Sequence, residues 1–402
     1  MRAFDQWCVC VLLVTFLSAM TLAAQEQSQD FGAPWVLSMR VGGEYSDNRD
    51  GTSTNKQSNL DSFVEPQIVM RYQDADRTTA QFALMPLAKW HSNPRTEAEG
   101  GAQKDAELFG AAELAMMHRL TPTVTLNAGD RLAYNDDPRM IETGTTTRRS
   151  ESYVWNDVHM GGDVALTSEI GAGVKAGSVT TRYQDSRVAK GLDTDLFTGE
   201  VNTYCMARSG WKVLGILGAS EFKAEETTER SRGSAVETYD AGLEKKIMPG
   251  LVGKLMGGLQ VVQYDNSTLK LAHMVNEKAE LIFRGAAPMR FRCGVEYGYA
   301  PPGVSDYSAQ KSITLSGEVD RDVLADRLTL RFQGQYMDSQ YTSEGVTAPG
   351  GSETLARVGA HGTYRLTEKW AITSGYTFEK WDSQLRESFT RNLVDVSVSA
   401  EW

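Results

Sequence analysis

The residues able to do chemistry are few and far apart. The histidines are His91, His118, His159, His273 and His361, and none sits at metal-ligand spacing from another or beside a pair of cysteines. No metal site and no cofactor follow from them. Hydrolytic chemistry would need a base beside a nucleophile or a carboxylate. The pairs that could be pressed into that role are His159 with Asp157 and His361 with Ser352. Their scatter marks them as strand or loop side chains, so no catalytic residue is assigned. Gly171-Ala172-Gly173 and Gly257-Gly258 are strand glycines. A phosphate-binding loop would lead into a helix, and none is expected here.

What recurs instead is alternation. Leu328, Leu330, Phe332 and Tyr336 stand on one parity, against Arg327, Thr329, Arg331, Gln333 and Gln335 on the other. Val358, Ala360 and Tyr364 likewise oppose Arg357, His361, Thr363 and Arg365, and Trp370, Ile372, Tyr376 and Phe378 oppose Thr373, Thr377 and Glu379. Side chains of a strand alternate between its two faces, so each segment is a strand with one apolar and one polar face. The polar parity supplies the candidate pore-lining residues: Arg40, Glu44, Glu65, Arg71, Arg327, Arg331, Arg357 and Arg365.

The pattern runs to the last residue. Val394, Val396, Val398, Ala400 and Trp402 share a parity against Asp395, Ser397, Ser399 and Glu401. A soluble sheet rarely ends on an apolar strand with a terminal Trp. A transmembrane barrel needs such a strand, because its last strand pairs with its first and its apolar face meets lipid. Val398, Ala400 and Trp402 therefore read as an assembly signal. At the other end, Arg2 is followed by an apolar run from Val9 to Leu17 and by the small residues Ala19, Ala23 and Ala24. This is the layout of a secretory signal peptide over residues 1–24, leaving residues 25–402 as an outer-membrane β-barrel domain. Beyond it no stretch approaches the ~20 apolar residues of a helical span.

Composition agrees. A formal net charge of −11 argues against nucleic acid as a partner, and 41% hydrophobic residues are too many for a disordered chain. Cys8 and Cys10 precede the apolar run and leave with the leader; Cys205 and Cys293 fall on the apolar parity of well-separated strands and read as small lipid-facing residues.

Taken in order, the chain reads as about eighteen antiparallel strands of an up-and-down barrel, with sixteen left open. Tight joints such as Leu120-Thr121-Pro122, Ser209-Gly210, Met248-Pro249-Gly250 and Leu324-Ala325 alternate with long polar loops such as 46–59, 135–149, 184–194 and 342–351. Short turns on one side and long loops on the other are the outer-membrane arrangement. Trp90, Tyr134, Tyr183, Trp211, Tyr264, Trp370 and Trp381 lie near strand ends, where aromatic belts anchor. Pro66 marks a bulge or weak point in its strand. Asp130 and Glu277 fall on the apolar parity, which implies a bulge or a shifted strand at each. The loop 135–149 carries Asp136, Asp137, Arg139, Glu142, Arg148 and Arg149 as candidate constriction residues, by analogy with the third outer loop of general porins.

With the hairpins in view, the chain resembles the outer-membrane barrels of the putative β-barrel porin type 2 family, some of which accompany exopolysaccharide export loci. The residues that carry the resemblance are Glu44-Tyr45-Ser46-Asp47-Asn48, the hairpins Arg119-Leu120-Thr121-Pro122-Thr123 and Arg365-Leu366-Thr367-Glu368-Lys369-Trp370, and the aromatic C-terminus. The resemblance implies a porin-like channel for passive diffusion of small polar solutes, and as a second reading an accessory barrel for surface polysaccharide export. A barrel hydrolase is the third. Expected partners are outer-membrane lipid, the outer-membrane assembly machinery, and small polar solutes or polysaccharide.

Overall fold

The computed structural model describes residues 35–48, 56–74, 77–95, 104–135, 153–184, 193–207, 210–224, 233–265, 271–284, 288–300, 309–324, 327–342, 351–385 and 388–402. Residues 1–24, where the sequence reading places a signal peptide, and positions 136–149 lie outside them. Among the described residues the regular structure is entirely strand: β1 (Trp35–Ser46), β2 (Asn59–Asp74), β3 (Thr78–Arg95), β4 (Lys104–Thr121), β5 (Val124–Asn135), β6 (Tyr153–Ala165), β7 (Ile170–Tyr183), β8 (Thr194–Met206) and β9 (Trp211–Ala224). The second half continues with β10 (Ser234–Met248), β11 (Leu251–Tyr264), β12 (Ala272–Arg284), β13 (Met289–Ala300), β14 (Ala309–Val323), β15 (Leu328–Thr342), β16 (Gly351–Arg365), β17 (Trp370–Ser383) and β18 (Phe389–Glu401).

Every strand pairs antiparallel with its sequence neighbours, and β18 closes on β1, giving an 18-stranded barrel. The count is eighteen rather than sixteen. Closure leaves no free sheet edge, the condition for strands to cross a bilayer. Strand termini also bear out the asymmetric connections. Gly210 (φ 76°) and Gly250 (φ 81°) sit in tight turns, where a backbone in the left-handed region favours glycine.

The seam is held beyond the ladder. β1 and β18 pair from Ser38 opposite Glu401 to Ser46 opposite Leu393. At one end the Trp402 amide donates to the Leu37 carbonyl at 2.8 Å. At the other, the motif that follows β1 clamps the last strand. The Asp47 carboxylate accepts the Asn392 backbone amide at 2.7 Å and its side-chain amide at 2.6 Å. Asn48, fully buried, donates to the Thr390 carbonyl at 2.9 Å.

Three sequence expectations change. Asp130 and Glu277 do lie on the apolar parity, with no bulge: β5–β6 pairing is continuous from Val124 to Asn135, and β11–β12 pairing from Leu251 to Val262. Asp130 is satisfied locally, accepting the Asn156 side-chain amide at 3.0 Å on the same face. Of the two readings of Pro66, the weak point holds and the bulge does not. The β2–β3 ladder is interrupted between Val64–Ala88 and Ile68–Leu84 without a register shift. Pro66 and Pro86 face each other in that gap, and neither can donate a ladder hydrogen bond. Finally, Tyr183, Tyr264 and Trp381 are not belt residues. They stand on the polar parity and pack there, Tyr183 against Tyr153 at 5.6 Å between ring centroids and Trp381 against Phe389 at 6.1 Å. Trp211 and Trp370 stay exposed on the apolar parity.

Because the Trp402 backbone completes the seam while its ring is half exposed, Trp402→Ser should lower the amount of assembled barrel several-fold without altering the remainder. The fraction of protein that resists detergent unfolding until heated measures this; an unchanged fraction would show that the terminal aromatic is dispensable.

Candidate functional site

Burial is reversed relative to a soluble protein. The large apolar side chains that are exposed, such as Leu255 (60%), Val358 (53%) and Phe332 (51%), lie on one parity of their strands. The opposite parity holds Glu353 (0%), Glu379 (5%), Asp61 (6%) and Arg391 (7%). In a closed barrel the inward side chains converge and cover one another, whereas outward ones diverge. The polar parity therefore faces the lumen and the apolar parity faces lipid. Free Cys205 and Cys293 are exposed on the apolar parity.

Inward charges are neutralised by neighbours across the ladder. Arg40 meets Glu65 at 2.6 Å and lies over the Phe63 ring, 4.8 Å from its centroid. Arg331 reaches Asp320 at 2.8 Å and Glu318 at 3.2 Å. Arg357 and Arg391 share Glu379, at 3.1 and 2.9 Å. Arg131–Glu113 (2.9 Å), Lys175–Glu200 (3.6 Å) and Lys278–Glu296 (3.2 Å) continue the pattern around the wall. Exposed pairs of this kind contribute only about 0–1 kcal/mol each, but they set which groups a passing solute meets.

One cluster is nearly dry. Near the outer ends of β1–β4, Lys89 contacts Glu44 at 3.3 Å and Asp61 at 3.7 Å. His91 bridges Asp61 (2.8 Å) and Glu107 (3.1 Å) through its two ring nitrogens. Sequence reasoning missed Asp61, Lys89, His91 and Glu107. The residues near 91 read as polar loop, whereas β3 extends to Arg95. The available signal was the parity that Lys89 and His91 share. A second feature was also invisible: toward their outer ends the inward positions turn apolar, with Met337, Leu355, Trp381 and Phe389 forming a buried cluster on β15–β18.

Of the sequence-predicted lining residues, the structure places Arg40, Glu44, Glu65, Arg331 and Arg357 in this paired wall. Arg71 and Arg365 stand exposed near the short-turn ends of β2 and β16, and Arg327 lies in the turn before β15 rather than within the strand. Val398 and Trp402 are exposed at 39% and 49%, while Ala400 is 4% exposed. Asp136, Asp137, Arg139, Glu142, Arg148 and Arg149 fall outside the described residues. The hydrolase pairings find no support in geometry. Asp157 and His159 are 3.9 Å apart, beyond hydrogen-bond reach, and His361 and Ser352 stand on opposite parities of β16. Among the described residues no cluster of metal-ligating side chains occurs.

A closed antiparallel barrel with an apolar exterior and a charged, pair-neutralised interior is the architecture of a transmembrane β-barrel. Residues 221–402 match the family model described as "Putative beta-barrel porin 2", in agreement with the resemblance read from the sequence. No curated protein matches the chain in sequence. Similar solved structures include OccAB4 of Acinetobacter baumannii, at 12% identity, TM-score 0.49, and coverage of 94% of this chain and 100% of that one. OpdK, an outer membrane protein of Pseudomonas aeruginosa, is similar at 11% identity, TM-score 0.48, and coverage of 92% and 99%.

Two outcomes test the wall. Single cysteines at positions 331 and 333 should react with a membrane-impermeant thiol reagent much faster than cysteines at 330 and 332; equal rates would show that the faces are misassigned. Glu379→Gln should leave the buried Arg391 short of a counter-charge and cost about 3–5 kcal/mol of stability, read as a lower unfolding temperature in detergent.

Proposed function

We propose that the protein is a passive diffusion channel for small polar solutes across the bacterial outer membrane. The observation that carries this reading is the charged inner wall. Its acids and bases are neutralised in pairs along the ladder, so the wall can stay wet without strongly binding either sign of ion. Barrels of this strand number are wide enough to hold an aqueous channel. Opposed charges on the wall orient water and favour solutes with dipoles over apolar ones. In the same reading the loop 135–149, through Asp136, Asp137, Arg139, Glu142, Arg148 and Arg149, narrows the lumen, and the residues that fit an assembly signal, Val398, Ala400 and Trp402, are recognised by the outer-membrane assembly machinery. The alternative, an accessory barrel for surface polysaccharide export, rests on the resemblance alone.

Single-channel recording from purified protein in planar bilayers should show stepwise conductance that scales with the bulk conductivity of the electrolyte. A closed bilayer at every salt concentration would overturn the channel reading.

A further inference from the structure

The cations of the wall fall into two populations. Between the mouths they are paired, as with Arg40, Arg131, Lys278, Arg331 and Arg357. At the short-turn mouth Arg290 and Lys212 are paired, but a second set is not. Arg71, Arg119, Lys246, Arg284, Arg327 and Arg365 are all exposed there, and among the described residues none has an ion-pair partner. Five share the inward parity of a paired wall charge on their own strand: Arg71 that of Glu65, Arg119 that of Glu113, Lys246 that of Glu244, Arg284 that of Glu280 and Arg365 that of Arg357; Arg327 lies in the turn that leads into β15.

Backbone hydrogen bonds join these turns into a rim. The Arg119 amide donates to the Arg77 carbonyl at 2.7 Å, Arg284 to Gly250 at 2.7 Å, and Arg365 to Arg327 at 2.7 Å. The basic groups are thus carried on β2, β4, β10, β12, β16 and the β14–β15 turn. Acids at the same end do not cancel them. Asp74 stands on the outward parity and Glu169 and Glu368 lie in turns; Asp163 and Glu401 are exposed on the inward parity at this end, so six cations face two inward acids. Asp322 is held by Thr329 at 2.7 Å and faces Arg290 at 3.7 Å, and Glu244 faces Lys212 at 3.7 Å.

We propose that this collar makes the pore asymmetric, drawing small anions, of the carboxylate or phosphate kind, to the mouth that carries the short turns, on the periplasmic side. The inference rests on the channel reading and adds a direction to it. Fixed charge of one sign at one mouth, with a neutralised wall beyond, concentrates counter-ions at that mouth. Driving ions inward from the charged end then fills the lumen, and driving them the other way depletes it, so the current depends on the sign of the voltage. The effect works over the Debye length, about 10 Å at 0.1 M salt and about 3 Å at 1 M.

The experiment is single-channel current at equal and opposite voltages, taken as the ratio of the larger to the smaller. In wild-type protein that ratio should be about 2 at about 50 mM KCl and fall toward 1 at about 1 M, where the Debye length is shortest. The variant Arg71→Gln/Arg119→Gln/Arg327→Gln/Arg365→Gln should give a ratio near 1 at both concentrations. The smaller variant Arg327→Glu/Arg365→Glu should lower the ratio and move the reversal potential in a KCl gradient toward that of potassium, which keeps the test intact if the fourfold variant does not assemble. Conductance that is symmetric in wild type, or asymmetric to the same degree in the variants, overturns the collar while leaving the channel standing. No conductance at all overturns both.

Discussion

Everything in this molecule depends on the backbone hydrogen bond in a medium that offers no substitute for it. In lipid an unpaired amide or carbonyl costs several kcal/mol, so a sheet can cross only if its last strand finds its first. The contact between β18 and β1 is therefore a condition on all the other strands. The chain secures it at both ends. Trp402 exchanges backbone hydrogen bonds with Leu37, and Asp47 and Asn48 hold Asn392 and Thr390 at the opposite rim. The few places where the ladder weakens are managed locally. Pro66 and Pro86 share a single gap instead of opening two. Opposite Pro86, Gly110 adopts φ 155°, and a Cβ there would meet the Met85 carbonyl at 2.8 Å.

Closure also decides the chemistry of the interior. Once the sheet is a cylinder, the polar parity converges on a confined lumen and its side chains crowd one another. Charges brought that close must be neutralised, and register supplies the partners. Arg40 lies directly across from Glu65, Arg331 from Asp320, and Arg357 from Glu379. Where crowding is greatest, near the outer ends, isolated pairs give way to shared ones: Glu379 serves two arginines, and Asp61 serves both Lys89 and His91. At the short-turn mouth crowding eases, and Arg71, Arg119, Lys246, Arg284, Arg327 and Arg365 stand exposed with no ion-pair partner among the described residues. The same residue types thus play different electrical parts according to height in the wall. A tied arginine adds little to the field in the pore, whereas an untied one at the mouth sets it.

The lipid-facing side follows a simpler rule, with exceptions. Leu, Val, Phe and Tyr cover it, but Asp130 and Glu277 lie among them. Asp130 keeps a hydrogen bond from Asn156, which lowers the cost of its position. The structure supplies no such neighbour for Glu277 among the described residues, and we have no physical account of its placement.

Much of the fold was legible in the sequence because a strand writes its two environments into alternate letters. Leu328, Leu330 and Phe332 against Thr329, Arg331 and Gln333 needs no partner to be read, and neither does the terminal Val396-Val398-Ala400-Trp402 series. Turn chemistry was equally local: Gly210 and Gly250 stand where the backbone bends. What the sequence could not show is any fact that belongs to two strands at once. His91 looked like the start of a polar loop because its partners, Asp61 and Glu107, come from other strands. Tyr183 and Trp381 looked like belt aromatics because composition near a strand end is alike on both faces; only closure decides which face is inside. Arg71, Arg327 and Arg365 read as the same kind of lining residue as Arg40 and Arg331, since a charge carries no mark of its counter-charge. Register, which is a property of the closed cylinder and not of any one segment, is what separates the tied from the free.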